Sequence, residues 1–181
     1  MRERFFIIDN GAEVGLGGNP KFKQDKGEKL YRRSLYTYWK RSAPPPSMQI
    51  FDAPTREKCT VQRARTNTPL QALVTLNDVQ FVEAGRNFAQ RIILGSQDET
   101  TRIQNAFRLV TARTPSPQET DTLREMLTDV KTKYAGDTDA AKQLVTAGES
   151  RRDESIDVVQ HAAWTIVASA LLNLDETLTR E

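Results

Sequence analysis

The sequence predicts an all-α protein: a helical domain over residues 66–181, preceded by a basic and largely irregular arm over residues 20–65. Apolar residues recur at helical spacing through the second part of the chain, and helix-start signals separate these segments. The charge divides in the same way, since residues 1–65 carry 14 Lys and Arg against 7 Asp and Glu, and residues 66–181 carry 12 against 17. We expect about five to six helices, with residues 20–181 forming one structural unit.

The helical body is predicted to begin at Thr68-Pro69, because threonine caps a helix N-terminus and proline suits the first helical position. Asn77-Asp78 either interrupts this helix or caps the next, which ends near Gly95. A further helix is predicted over residues 98–112, where four apolar residues share one face: Ile103, Ala106, Phe107 and Val110.

The remaining helices are marked by a capping box, glycines and an apolar run. Ser116-Pro117-Gln118-Glu119 predicts the start of a helix whose apolar stripe ends at Tyr134. A shorter helix follows over residues 140–145 and ends near Gly148. The last helix is expected from about Asp153 to about Leu174, and its apolar second half is typical of a central helix packed on several sides.

The arm is less regular. Residues 1–19 contain Asp9-Asn10-Gly11 between two apolar runs, which favours a short β-hairpin, with disorder as the alternative. Residues 28–41 can form a helix, with Leu30, Tyr31, Leu35, Tyr38 and Trp39 broadly on one side. From the prolines at 44–46 to Thr66 we expect irregular chain, and a loop of that length is usually either functional or disordered.

Several classes of protein are excluded by the sequence. No apolar run is long enough to cross a bilayer, and the N-terminus lacks the apolar stretch of a signal peptide. Cys59 is the only cysteine, which excludes an internal disulfide framework and cysteine-rich metal sites, and we assign no metal site and no catalytic residue. The glycines at 15, 17 and 18 are not a dinucleotide-binding motif, because Pro20 occupies the third glycine position.

The segment from Asp52 to Asp78 is the candidate ligand-binding site. Arginines in a loop that leads to a helix N-terminus could grip a carboxylate, phosphate or sulfate. The alternative, which we prefer, is a structural network that pairs these side chains internally. Arginines left unpaired around one concave pocket would favour the ligand. The candidate residues are Asp52, Arg56, Arg63, Arg65, Asn67, Gln71, Asn77 and Asp78.

Three other features have both a functional and a structural interpretation. The aromatic-basic segment over residues 31–41 could stack on bases, but packing with a solvated basic back fits better and nucleic acid is not the expected partner. His161, the only histidine, is expected to be structural because no serine or cysteine motif accompanies it. Cys59 is expected to be a small buried residue or an idle thiol.

A series of motifs follows one another in order along the chain. The motifs are Leu30–Arg41, Pro44–Met48, Phe51–Pro54 with Arg56, Glu57 and Cys59, Arg65–Leu73, Leu76–Asp78 with Phe81–Ala84, and Ala170–Glu176. Together they resemble a planctomycete-type C-terminal domain family of unknown function, over about residues 20–181. The first 19 residues do not match the pattern expected upstream, so the chain resembles a detached C-terminal portion of a longer protein.

The resemblance implies a setting but no activity. Members are usually found in large secreted proteins with a cytochrome c-like domain, which implies an extracytoplasmic or periplasmic location. Haem is implied only by association with a domain that is absent from these residues, and no cofactor is expected in this chain. Expressed alone as written, with no signal peptide, the chain would remain cytoplasmic.

We therefore expect a non-enzymatic binding or scaffolding module, with protein domains of a larger assembly as partners, a cytochrome c-like domain among them. The alternative is a hydrolase that acts on a polysaccharide or on a sulfated or other anionic ligand at the Asp52–Asp78 segment. An enzyme needs a pocket where an acid or nucleophile meets the arginines. A scaffold would use those residues in internal pairs and expose an apolar patch.

Overall fold

The structure, a computed structural model, describes residues 26–31, 36–37, 39, 44–64 and 66–179. All regular structure in these residues is helical, which confirms the predicted fold class. The chain divides into two compact units, Met1–Gln71 and Ala72–Glu181. The elements are a 3₁₀ turn at Gly27–Tyr31 and helices α1 (Pro46–Ile50), α2 (Pro69–Asn77), α3 (Val79–Gly95), α4 (Glu99–Thr111), α5 (Pro117–Gly136), α6 (Thr138–Val145), α7 (Val158–Leu172) and α8 (Asp175–Leu178).

In the first unit, α1 corrects the expectation of irregular chain from Pro44 to Thr66. Pro46 stands at the first helical position, where its fixed φ suits a helix and its missing N–H costs no hydrogen bond. The turn ends at Phe51, whose N–H donates to the carbonyl of Ser47 at 3.0 Å. Of the helix predicted over residues 28–41, the 3₁₀ turn is described; most of the rest, like the hairpin predicted in residues 1–19, lies outside the described residues.

Two helix starts of the second unit that the sequence indicated are confirmed by their caps. Asp78 caps α3 by accepting a hydrogen bond from the N–H of Gln80 at 2.9 Å. The capping box at the start of α5 is complete, since Ser116 and Glu119 each accept from the backbone N–H of the other. These ends are local, so a few adjacent residues are enough to predict them.

The start of α7 was predicted too early. The carboxylate of Asp153 accepts from both the N–H and the hydroxyl of Ser155 in a turn, so it does not cap a helix. Asp157 is the N-cap, and its Oδ2 accepts from the N–H of Gln160 at 2.9 Å. The single-turn helices α1 and α8 were also not predicted, and they raise the count to eight α-helices among the described residues.

Helix α7 is the central element of the second unit, as its apolar composition predicted. It packs against α3, α5 and α6, and its Trp164 is fully buried. Gly85 allows α3 to approach α7 closely, because a Cβ at this position would lie 2.5 Å from the Ser169 hydroxyl. No helix among the described residues is long and apolar enough to cross a membrane.

Candidate functional site

Asp52 closes the loop over residues 52–66, which contains four of the eight candidate residues. Its Oδ2 accepts hydrogen bonds from the backbone N–H of Thr66 at 2.9 Å and from the Thr66 hydroxyl at 2.7 Å. The Thr66 hydroxyl is the largest of the contacts that hold the pKa of Asp52 below its usual value. Asp52 itself adopts the left-handed backbone region, with φ of 56°. The carboxylate therefore fixes both ends of the 52–66 loop.

Gln71 continues this network into α2. The residue is only 2% exposed, and its Nε2 donates to the carbonyl of Ile50 at 2.8 Å and to the hydroxyl of Thr66 at 3.1 Å. Its Oε1 accepts from the N–H of Thr68 at 3.1 Å. Both ends of the amide are engaged by groups of the same unit. This arrangement is what a structural network requires.

The arginines in the loop are held by neutral groups. Arg63 donates to the carbonyl of Phe51, at the base of the loop. The guanidinium of Arg56 lies over the ring of Trp39, 5.1 Å from the ring centroid. Arg56 has φ of 62°, a second left-handed residue in the same loop. Both arginine side chains belong to exposed residues, so solvent reaches them.

The other four candidates differ in their placement. Asn77 donates from Nδ2 to the carbonyl of Leu73 within its own helix at 2.8 Å, and Asp78 caps α3. Asn67 is exposed, and Arg65 lies outside the described residues. The structure thus brings Asp52, Arg63 and Gln71 together around the loop base, whereas Asn77 and Asp78 serve helix ends.

Helix α2 buries its polar side and exposes leucines. Thr75 is 5% exposed, and its hydroxyl lies 2.6 Å from Oδ1 of Asn173. Leu73, Leu76 and Val79 are 58%, 46% and 54% exposed, respectively. We call these three residues the outer stripe; Leu70, one turn earlier in the helix, is also exposed. A helix usually buries its apolar residues and exposes its polar ones. Here exposed residues are apolar, and an exposed group of large apolar residues is informative about what a surface does.

A buried polar cluster in the second unit was missed by the sequence reasoning. Glu83 on α3 accepts from the N–H of Ser150 at 2.7 Å and from the N–H of Glu149 at 3.2 Å. Arg86, one turn later, donates to the carbonyls of Val145 at 3.1 Å and Ser150 at 2.7 Å. The charged atoms of Glu83 and Arg86 lie 3.7 Å apart, and both side chains are buried. We call this pair with its loop, residues 145–150, the α3 clamp.

The α3 clamp depends on Gly148. This residue has φ of +94°, and a Cβ at this position would overlap the carboxyl group of Glu83. Charged side chains on a helix are usually solvated, so the sequence pattern does not predict that Glu83 and Arg86 are buried. Their partners lie more than 50 residues further along the chain, so only Gly148 offered a local signal.

His161 is enclosed beside the clamp. It is fully buried, and its Nε2 lies 3.2 Å from the carbonyl of Arg86. Since a carbonyl can only accept, Nε2 carries the proton. Burial lowers the pKa of His161, opposed by the bond to the Arg86 carbonyl, and this keeps the ring neutral. The imidazole is neutral, sealed from solvent and hydrogen-bonded to the backbone. It therefore holds helices α3 and α7 in position.

The depression that is formed by described residues of the second unit lies apart from the described candidate residues. This shallow depression of about 460 Å³ lies between α5 and the start of α7. It is lined by Lys131, Thr132, Ala135, Asp157, Val159 and Gln160, and none of the eight candidates is among them. Within the described ranges, no group of three or more His, Cys, Asp or Glu residues could hold a metal ion.

Residues 8–127, about two thirds of the chain, match the family PSD1, protein of unknown function (DUF1553). The chain belongs to this family. No curated protein matches the chain, and no solved structure matches it. The DUF1553 match begins before residue 20, where the sequence motifs placed the start of the resemblance, and it ends within α5.

One half of the α3 clamp lies inside the DUF1553 match and the other half lies outside it. The candidate residues, the outer stripe, Glu83 and Arg86 all lie inside it. The 145–150 loop and His161 lie outside it. The outer stripe thus lies within the DUF1553 region.

Proposed function

We propose that this chain is a non-enzymatic binding or scaffolding module that docks a neighbouring protein domain of a larger assembly. The outer stripe carries the proposal. Leu73 and Leu76 lie three positions apart on α2, Val79 is the first residue of α3, and each remains about half exposed. Exposed apolar residues that lie close together mark protein contacts more often than isolated ones do.

The chemistry of the stripe specifies its partner. Helix α2 contains no charged residue along its nine positions, so the partner surface must be uncharged as well. Burying one aliphatic side chain contributes about 1.5–3 kcal/mol, so covering three half-exposed ones contributes about 3 kcal/mol before any entropic cost. That gain corresponds to a dissociation constant of about 6 mM or weaker. A covalently linked domain, at an effective concentration in the millimolar range, suits so small a contact.

The polar candidates support the same proposal. The side chains of Asp52, Gln71 and Arg63 form hydrogen bonds with backbone groups at the base of the 52–66 loop, as expected for a scaffold. The depression on the second unit contains none of them. The hydrolase alternative at the Asp52–Asp78 segment therefore gains no support from the geometry. The extracytoplasmic setting and a cytochrome c-like partner are part of our proposal, on the strength of the sequence resemblance alone.

The test is a binding measurement with a defined partner. A cytochrome c-like domain that is encoded in one polypeptide with a DUF1553 region is joined to this chain by a flexible linker that a protease can cut. The fraction docked is measured by fluorescence energy transfer between the two domains. We expect the triple variant L73S/L76S/V79S to lose most of the docked fraction. The matched control L94S/L109S alters exposed leucines on α3 and α4 and should dock like the wild type.

Equal docking by the wild type and the triple variant would contradict the proposal. Loss of docking in both variants alike would show that exposed leucines act without specificity, which also contradicts it. Circular dichroism on each variant checks that the helices are retained. Because Leu73, Leu76 and Val79 are exposed, their replacement should leave the helical signal unchanged.

A further inference from the structure

The loop over residues 54–64 is the most exposed segment that the structure describes. Every residue in it is exposed, and none of it is helical. It is nonetheless fixed at its base, where Asp52 binds Thr66 and Arg63 binds the carbonyl of Phe51. A loop that is held at both ends presents its side chains in a restricted arrangement. We call residues 54–64 the basic loop.

Stability does not account for the basic loop. It contributes no buried side chain to either unit. It also includes Arg56 in the left-handed backbone region and follows Asp52 in the same region, a conformation that is unfavourable for residues other than glycine. Strained backbone that buries nothing is characteristic of loops that act in recognition.

The charges of the basic loop favour an anionic partner. It carries Arg56, Lys58 and Arg63 against a single acid, Glu57. The guanidinium of Arg56 lies over the Trp39 ring, a contact that does not use its N–H groups as hydrogen-bond donors to an oxygen acceptor. Arg63 donates to the carbonyl of Phe51 from one of its nitrogens, and Lys58 is exposed.

Val61 distinguishes among anionic partners. Its side chain is fully exposed between Lys58 and Arg63, so the loop combines cations with an apolar contact. Nucleic acid would meet only three cations, which are too few for the strong, salt-dependent binding of phosphates. Its phosphates would also be repelled by Glu57. An acidic protein segment can offer carboxylates to the cations and a leucine or similar side chain to Val61.

We propose that the basic loop is a second docking element, independent of the outer stripe, which binds an acidic protein segment that carries an apolar side chain. Carboxylates pair with Lys58 and with the free donors of Arg56 and Arg63, and the apolar residue contacts Val61. The overall charge of the chain is only +2, so the attraction comes from this loop and not from the molecule as a whole.

The test uses a fluorescent peptide of six glutamates around a central leucine, titrated with the full chain and followed by anisotropy. At low salt we expect binding that weakens as salt is raised. Lys58→Glu should weaken it about three- to tenfold, as reversal of one exposed charge does. Lys133→Glu, which makes the same charge change at an exposed position of α5, should leave it within about twofold.

Val61→Ser separates the apolar contact from the charges. It should weaken binding of the leucine-containing peptide and leave binding of an all-glutamate peptide unchanged. Equal losses in K58E and K133E, or no binding of either peptide by the wild type at low salt, would overturn the proposal. Tighter binding of a thymidine oligonucleotide than of the acidic peptide would overturn it as well. The triple variant L73S/L76S/V79S should bind the peptide like the wild type, which keeps this outcome separate from that of the outer stripe.

Discussion

Two loops of this protein are fixed by side-chain hydrogen bonds in opposite environments. In the first unit, Asp52 and Gln71 hold the 52–66 loop, most of which is exposed to water. In the second unit, Glu83 and Arg86 hold the 145–150 loop with both side chains buried. The geometry is similar, but a buried polar group that loses its partner has no water to replace it. The α3 clamp should therefore matter much more for stability than the Asp52 network.

The largest effect is expected from breaking the α3 clamp at Arg86. Arg86→Met removes the donors to Val145 and Ser150 and leaves Glu83 buried next to an apolar side chain. We expect a loss of about 3–5 kcal/mol in the free energy of unfolding, measured by urea denaturation. Arg108→Met, at an exposed position of α4, is the control and should change stability by less than about 0.5 kcal/mol. Similar losses in both variants would remove the distinction between the two loops.

Gly148 tests the same cluster through the backbone. Gly148→Ala forces a Cβ onto a residue with φ of +94° and into the carboxyl group of Glu83, so we expect a loss of about 2 kcal/mol or more. Gly95→Ala is the matched control, since nothing lies within 4 Å of the added Cβ at the end of α3. It should be neutral or slightly stabilising, by about 0.4–1 kcal/mol. If thermal unfolding shows equal effects for the two alanines, Gly148 is not required by the clamp.

A smaller, pH-dependent effect is expected from an exposed network of the second unit. Arg113 donates to Glu119 at 2.6 Å, and this bond, followed by the N–H of Ser116, lowers the pKa of Glu119 from 4.5 to about 2. A lowered folded-state pKa stabilises the protein above the unfolded value, and that contribution is lost as the pH falls from about 4.5 to about 2. Glu119→Gln should therefore be less stable than the wild type at pH 6, and the difference should shrink towards pH 2. Glu125→Gln, on the exposed side of the same helix, is the control, and a pH-independent difference for Glu119→Gln would contradict the assignment.

The sequence predicted those features that are encoded within a few residues. The cap at Ser116 was predicted, and the cap at Asp78 was one of two alternatives, because side chain and backbone partner lie two or three positions apart. The central position of α7 followed from its apolar composition on every side. In contrast, the helix over Pro46–Ile50 was missed because a run of prolines favours extended chain until one of them stands at the first helical position.

Other features could not be predicted because they depend on distant contacts. Glu83 and Arg86 look like surface charges until a loop more than 50 residues away covers them. In α2, the spacing of Leu70 and Leu73 predicted a helix, but it did not reveal that the side with Gln71 and Thr75 is the buried one. Gln71 was proposed as a ligand-binding or structural residue; its bonds to Ile50 and Thr66 fit the structural interpretation that the sequence favoured.

Methyl-resolved NMR on the tethered pair shows whether the outer stripe is a docking surface. With the leucine and valine methyl groups labelled, linker cleavage and dilution release the cytochrome c-like domain. We predict that the methyl signals of Leu73, Leu76 and Val79 shift on release, while those of the buried Leu127 and Leu171 in the core of the second unit stay in place. Unchanged signals at all three stripe residues, with shifts elsewhere on the chain, would contradict the account.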